Sequence, residues 1–107
     1  MKRRAELTRY WWISWYQPTD DHRPLTYPPN DAVLGWWCSG ERCSDGASTL
    51  VAHVRSSDED AAKAAIRTDW PEAGEWRFCE PRSGKPEPGG RFPLSDWMRE
   101  RYAQCER

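Results

Sequence analysis

With 16 Lys and Arg against 17 Asp and Glu in 107 residues, the chain carries a net charge of −1. That balance argues against a globally basic nucleic-acid binder, and the length fits a single domain, residues 1–107. No apolar run approaches the roughly 20 residues that a membrane-spanning helix needs.

Eight tryptophans carry much of the apolar payload. Each large aromatic buries about 150–250 Å², so a few of them fill a small core, and each buried indole N–H then needs an acceptor. Charge is unevenly spread: residues 1–18 sum to +3 and residues 57–75 to −4.

In chain order, residues 1–8 form a charged arm. Tyr10-Trp11-Trp12-Ile13-Ser14-Trp15-Tyr16 is aromatic on both alternating faces, which predicts a central strand covered at least partly on both sides. Pro18 ends it. Residues 18–31 contain Pro18, Pro24, Pro28 and Pro29, which exclude helix and interior strand. So long a connection is uncommon and often functional. Asp20, Asp21, His22, Arg23 and Tyr27 decorate it as a candidate contact surface; a solvated wrap across the sheet is the competing reading.

Ala32 to Cys38 predicts a second strand, with Val33, Gly35 and Trp37 alternating with Leu34, Trp36 and Cys38. Gly35 marks a bulge or a place where an indole crosses the backbone. After the turn-rich Ser39 to Ala47, Leu50, Ala52 and Val54 alternate with Thr49, Val51, His53 and Arg55 in a third strand. Ser57-x-x-Asp60 resembles a capping box, and Asp58, Glu59 and Asp60 favour the positive end of a helix dipole. Ala62, Ile66 and Trp70, with Ala65 beside them, form a narrow apolar stripe; Lys63 and Arg67 lie off it.

Pro71 ends that helix, and Glu72 to Glu75 form a Gly-containing turn. Trp76 and Phe78 then alternate with Arg77 and Cys79 in a fourth strand, closed by Pro81. Residues 82–107 comprise a Pro/Gly-rich loop and a short helix that Ser95 caps, with Leu94, Met98, Tyr102 and Cys105 on one face and Arg99, Glu100 and Arg101 elsewhere. The predicted fold is α+β: a mainly antiparallel four-stranded sheet in the order β-β-β-α-β, with one packed helix and a short C-terminal helix. If the strands alternate in direction and the helix reverses the chain, the last runs parallel to the first and third, with a right-handed crossover.

Four cysteines permit two disulfides. The basic Met1-Lys2-Arg3-Arg4 is not followed by a signal-type apolar segment, so a cytoplasmic protein with reduced thiols is expected. Cys38, Cys43, His53 and Cys79 are of the right types for zinc, but there is no second close pair, and ordinary buried strand residues are the favoured reading. No cofactor or metal is expected. Cys43 with His22 or His53 lacks any activating motif, and no phosphate-cradling Gly-rich loop is present.

Exposed Trp could stack bases; core packing is favoured for most of them. The acidic Glu72 and Glu75 are either a solvated turn or a face for a basic partner.

The combination Tyr10-Trp11-Trp12-Ile13-Ser14-Trp15, the capped helix ending Asp69-Trp70-Pro71, Arg77-Phe78-Cys79-Glu80 and Arg91-Phe92-Pro93 resembles small proteins of bacteriophages and prophages. Such proteins have a YWISW-like first strand and RFC-E and RFP patterns. These motifs are structural and carry no site residue over. The resemblance implies an accessory protein acting in a bacterial host cytoplasm, of a kind that inhibits a host process or defence system by binding it.

The leading expectation is therefore a non-enzymatic protein that binds a host protein or defence complex, such as an anti-CRISPR or other anti-defence factor. Its expected contacts are Asp20, Asp21, His22, Arg23, Tyr27, Glu72 and Glu75. A nucleic-acid-binding module using the basic arm and exposed Trp ranks second, and an enzyme third.

Overall fold

A computed structural model describes residues 9–18, 24–42, 48–82, 86 and 93–105. Four strands, β1 (Arg9–Gln17), β2 (Val33–Arg42), β3 (Ser48–Ser56) and β4 (Gly74–Arg82), form one antiparallel sheet in the order β2-β3-β1-β4. Helix α1 (Glu59–Asp69) joins β3 to β4, and α2 (Asp96–Gln104) follows. This is the α+β architecture the sequence predicts.

The strand directions differ from a simple alternation. β1 pairs antiparallel with both β3 and β4, and β2 pairs antiparallel with β3. β4 therefore runs parallel to β3 and opposite to β1, and β1 and β2 run the same way without pairing. Their connection must return along the whole strand length. Nine residues of strand rise about 30 Å, which residues 18–32 can span at about 3.3 Å each. The return path accounts for the length of the proline-rich segment.

β1 is an interior strand, apolar on both faces. Trp11, Ile13 and Trp15 join Val33, Trp36, Leu50, Ala52 and Val54 beneath α1, where Ala62, Ile66 and Trp70 come down as the expected stripe. Small alanines let the helix approach closely, and Trp70 fills the space between Trp15 and Trp36, with ring centroids 5.3 and 5.2 Å away. The opposite face carries Leu34, Trp37 and Val51 under Met98 and Tyr102 of α2. The sheet thus has a helix on each side.

The α1 cap, the side-chain phase of β2 and the end of β4 differ from the expectation, while the bulge expected at Gly35 is present. The α1 N-cap is Asp58, not Ser57: the Asp58 carboxylate accepts from the Ala61 N–H at 2.8 Å. In β2, Leu34 and Gly35 together oppose one residue of β3, since Val33 is opposite Val54 and Gly35 opposite His53. This bulge changes the phase of the strand, so Val33 and Trp36 share the α1 face, and Leu34 and Trp37 share the other. β4 also runs on through Pro81 to Arg82; it is an edge strand, where a missing N–H is tolerated.

Candidate functional site

The connection into β2 is the most heavily bonded loop among the described residues. A turn closes when the Tyr27 N–H donates to the Pro24 carbonyl at 2.8 Å. The Tyr27 hydroxyl then donates to Asp69 Oδ1 at 2.9 Å, at the end of α1. The Asn30 backbone N–H and side-chain amide donate to Asp69 Oδ2 at 2.9 and 2.7 Å, and the amide also reaches the Ala65 carbonyl at 2.9 Å. Asn30 Oδ1 accepts from the Ala32 N–H at 3.0 Å, the local side-chain turn that Asn favours.

From the other side, α2 grips the same segment. Trp97 Nε1 donates to the Leu25 carbonyl at 2.8 Å. The Arg101 guanidinium donates to the carbonyls of Pro29 and Asn30, each at 2.9 Å, and to that of Val33, and it pairs with Asp31 at 3.3 Å. Its charge lies 4.6 Å from the centroid of the Trp97 ring. Burial pulls its pKa below the usual arginine value, with Asp31 and Asp69 opposing the shift.

Of the expected contact residues, Asp20, Asp21, His22 and Arg23 lie outside the described residues. Tyr27 is half-buried and faces Asp69. Glu72 is exposed on the turn that leaves the same end of α1; Glu75, expected in that turn, is exposed as the second residue of β4, because the strand already starts at Gly74. That turn closes through the Ala73 N–H to the Trp70 carbonyl at 2.9 Å, and Arg67 Nε donates to the Ala73 carbonyl at 3.3 Å. Glu75 has φ 45, a left-handed conformation unusual for a residue with a Cβ. It is the extra residue of a bulge, since Gly74 opposes Tyr16 and Trp76 opposes Trp15. The structure therefore gathers Tyr27, Glu72 and Glu75 at one end of α1.

Sequence reasoning missed the residues that fix this arrangement. Asp69, which carries no site signal in the sequence, receives three hydrogen bonds from the connection. Arg101 had been set off the packed face, yet its guanidinium points into the fold. The one local signal was Asn30-Asp31 after two prolines, a turn signature that does not reveal long-range partners.

The donor set considered for zinc is dispersed. His53 is 1% exposed on the α2 face, hydrogen-bonded to the Tyr102 hydroxyl and tilted against Trp12 at 3.9 Å between centroids. Cys79 packs on the α1 face, where burial pushes its thiol up to about 11. Cys38 is exposed, and Cys43 lies outside the described residues. His53 and Cys79 are on opposite sides of the sheet and cannot share an ion. Among the described residues no three His, Cys, Asp or Glu side chains come together as a metal cluster.

None of the eight indoles is exposed; Trp12, Trp76 and Trp97 are half-buried and the others buried. Trp11, Trp15, Trp36 and Trp37 donate to Ser56, Gln17, Tyr27 and Pro93 respectively. Lys63 and Arg67 lie 5.5 and 4.9 Å from the Trp76 ring centroid.

No protein-family model, curated protein or solved structure matches this chain. No helix among the described residues is long and apolar enough to cross a membrane.

Proposed function

We propose that the chain is a small phage-type binding protein that inhibits a host macromolecule by protein–protein contact, as an anti-CRISPR or other anti-defence factor in the bacterial cytoplasm. The observation that carries this reading is the part of the proline-rich connection over residues 25–31, stitched to α1 by Asp69 and Asn30 and to α2 by Trp97 and Arg101. A loop fixed before binding loses little conformational entropy on binding, which favours affinity. Beside it, Glu72 projects negative charge from the turn after α1, and Glu75 projects it from the start of β4, where its own backbone is left-handed. Strain at an exposed position is a recurrent mark of contact and functional sites. The partner surface that fits is basic.

The burial of five indoles, with the other three half-buried and none exposed, favours this reading over a nucleic-acid module, because stacking on bases needs an open aromatic face. The test is affinity capture from host lysate with the wild-type chain and with Glu72→Lys/Glu75→Lys. Recovery of one stoichiometric protein by the wild type, lost in the reversed variant while its thermal midpoint is kept, is the expected result. Recovery of nucleic acid with a steep salt dependence, or capture unaffected by charge reversal, rejects the proposed surface.

A further inference from the structure

On the α2 side, a cavity of about 380 Å³ opens between the proline-rich connection, β2, β3 and α2. That volume falls within the range of small-molecule sites, about 300–1,000 Å³. Its apolar wall is Pro28, Leu34 and Trp97. Its charged wall is unevenly committed. Arg101 spends its guanidinium on three backbone carbonyls and on Asp31, and so acts as a strut. Arg55 and Glu100, on different elements, both line the cavity. Both are exposed, and among the described residues neither forms an ion pair.

Arg55 is held in place from two directions. Its backbone N–H donates to the Ala32 carbonyl at 2.8 Å, and on the other side it lies directly across from Tyr10 of β1. Glu100 and Gln104 lie one turn apart along α2, on the same side of the cavity. Asp31, with Oδ1 on Arg101, adds a second carboxylate at the rim. A guanidinium on the sheet side, carboxylates on the helix and the loop, an indole and a proline therefore line one open cavity.

From this we infer that the cavity is a binding site for a small zwitterion of amino-acid size with an apolar side chain. Its carboxylate sits on Arg55, its ammonium group on Glu100 and Asp31, and its side chain against Trp97 and Pro28. A lone anion would meet two carboxylates, and a lone cation would meet Arg55. A molecule carrying both charges satisfies both walls, and Arg offers a carboxylate two parallel hydrogen bonds. The inference does not depend on the protein-binding reading, which rests on the other surface of the connection and on the acidic turn.

The test is titration of the full chain by calorimetry and amide chemical-shift mapping with three probes: leucine, N-acetyl-leucine and leucinamide. Leucine is expected to saturate in the millimolar range or below, shifting amides of residues around Leu34, Arg55 and Trp97. Loss of the ammonium charge in N-acetyl-leucine, or of the carboxylate in leucinamide, is expected to weaken binding at least about tenfold. Arg55→Gln should abolish leucine binding and leave the weak leucinamide binding unchanged; Glu100→Gln should weaken leucine but not N-acetyl-leucine. Both side chains are exposed, so unchanged circular dichroism accompanies these effects. No saturable leucine binding, equal affinity for the three probes, or shifts remote from the cavity would overturn the assignment.

Discussion

His53 sits on an otherwise apolar surface, between Trp12, Trp37 and Tyr102. Burial is the main reason its pKa is lowered to about 3, with the nearby Arg82 charge adding to the effect. An unfolded chain binds a proton at this residue near pH 6.5. Between about pH 6.5 and 3 the unfolded state therefore holds more protons, and stability falls as pH falls. The predicted loss has a slope approaching about 1.4 kcal/mol per pH unit, read from urea midpoints across that window. His53→Phe should flatten the slope, yet cost about 1–3 kcal/mol at pH 7 by orphaning the Tyr102 hydroxyl. Adding Tyr102→Phe should recover part of that cost. Gly35 is a second residue whose identity is dictated by neighbours. A Cβ there would lie 3.0 Å from the buried Trp37 ring and 3.1 Å from the Tyr102 hydroxyl. Gly35→Ala should cost about 1–3 kcal/mol through overpacking, seen as a lower thermal midpoint.

At the scale of elements, α1 shows how closely a helix start can be read. The acidic run Asp58-Glu59-Asp60 marks the N-terminus, but the capping-box pattern points to Ser57, one residue before the cap that the structure shows. The extended backbone at Asp58 and its bond to Ala61 decide the matter. Asp58→Ala should destabilise by about 1 kcal/mol, while Ser57→Ala should change the denaturation midpoint little; the reverse result would move the cap back by one residue. α2 is the contrasting case. Its N-cap Ser95 makes no side-chain cap bond, and its buried hydroxyl has no partner among the described residues. What holds α2 is tertiary: Met98 and Tyr102 in the core, Trp97 and Arg101 on the connection. β1 similarly owes its central place to having two apolar faces, which only an interior strand can bury on both sides.

For the molecule as a whole, stability and the proposed contact surface pull against each other at one point. Glu75 holds a left-handed backbone that costs an L-residue about 1–2 kcal/mol, and glycine adopts it freely. Glu75→Gly should therefore leave the melting temperature unchanged or raised, while removing one of the two charges offered to a partner. A higher midpoint together with weaker capture would mark Glu75 as retained for binding; a lower midpoint would show that its carboxylate supports the bulge.

Local pattern was enough to define much of this fold. The two-sided aromatic run placed β1, alternation placed β3, the 62-66-70 stripe oriented α1, and Leu94, Met98, Tyr102 and Cys105 marked the inward face of α2. β2 and β4 were legible as strands, but bulges shift the expected alternation, so that Trp76 and Phe78 face opposite sides. These signals are legible because side-chain periodicity follows from backbone geometry within one element. Strand order, the return path from β1 to β2, the phase change at Gly35 and the roles of Asp69 and Arg101 belong to the tertiary structure. Each depends on pairing between residues far apart in sequence, as when Asp69 meets Tyr27 and Arg101 meets Pro29. A carboxylate or guanidinium reads as solvated until the fold brings donors or carbonyls within reach, and no periodicity records that meeting.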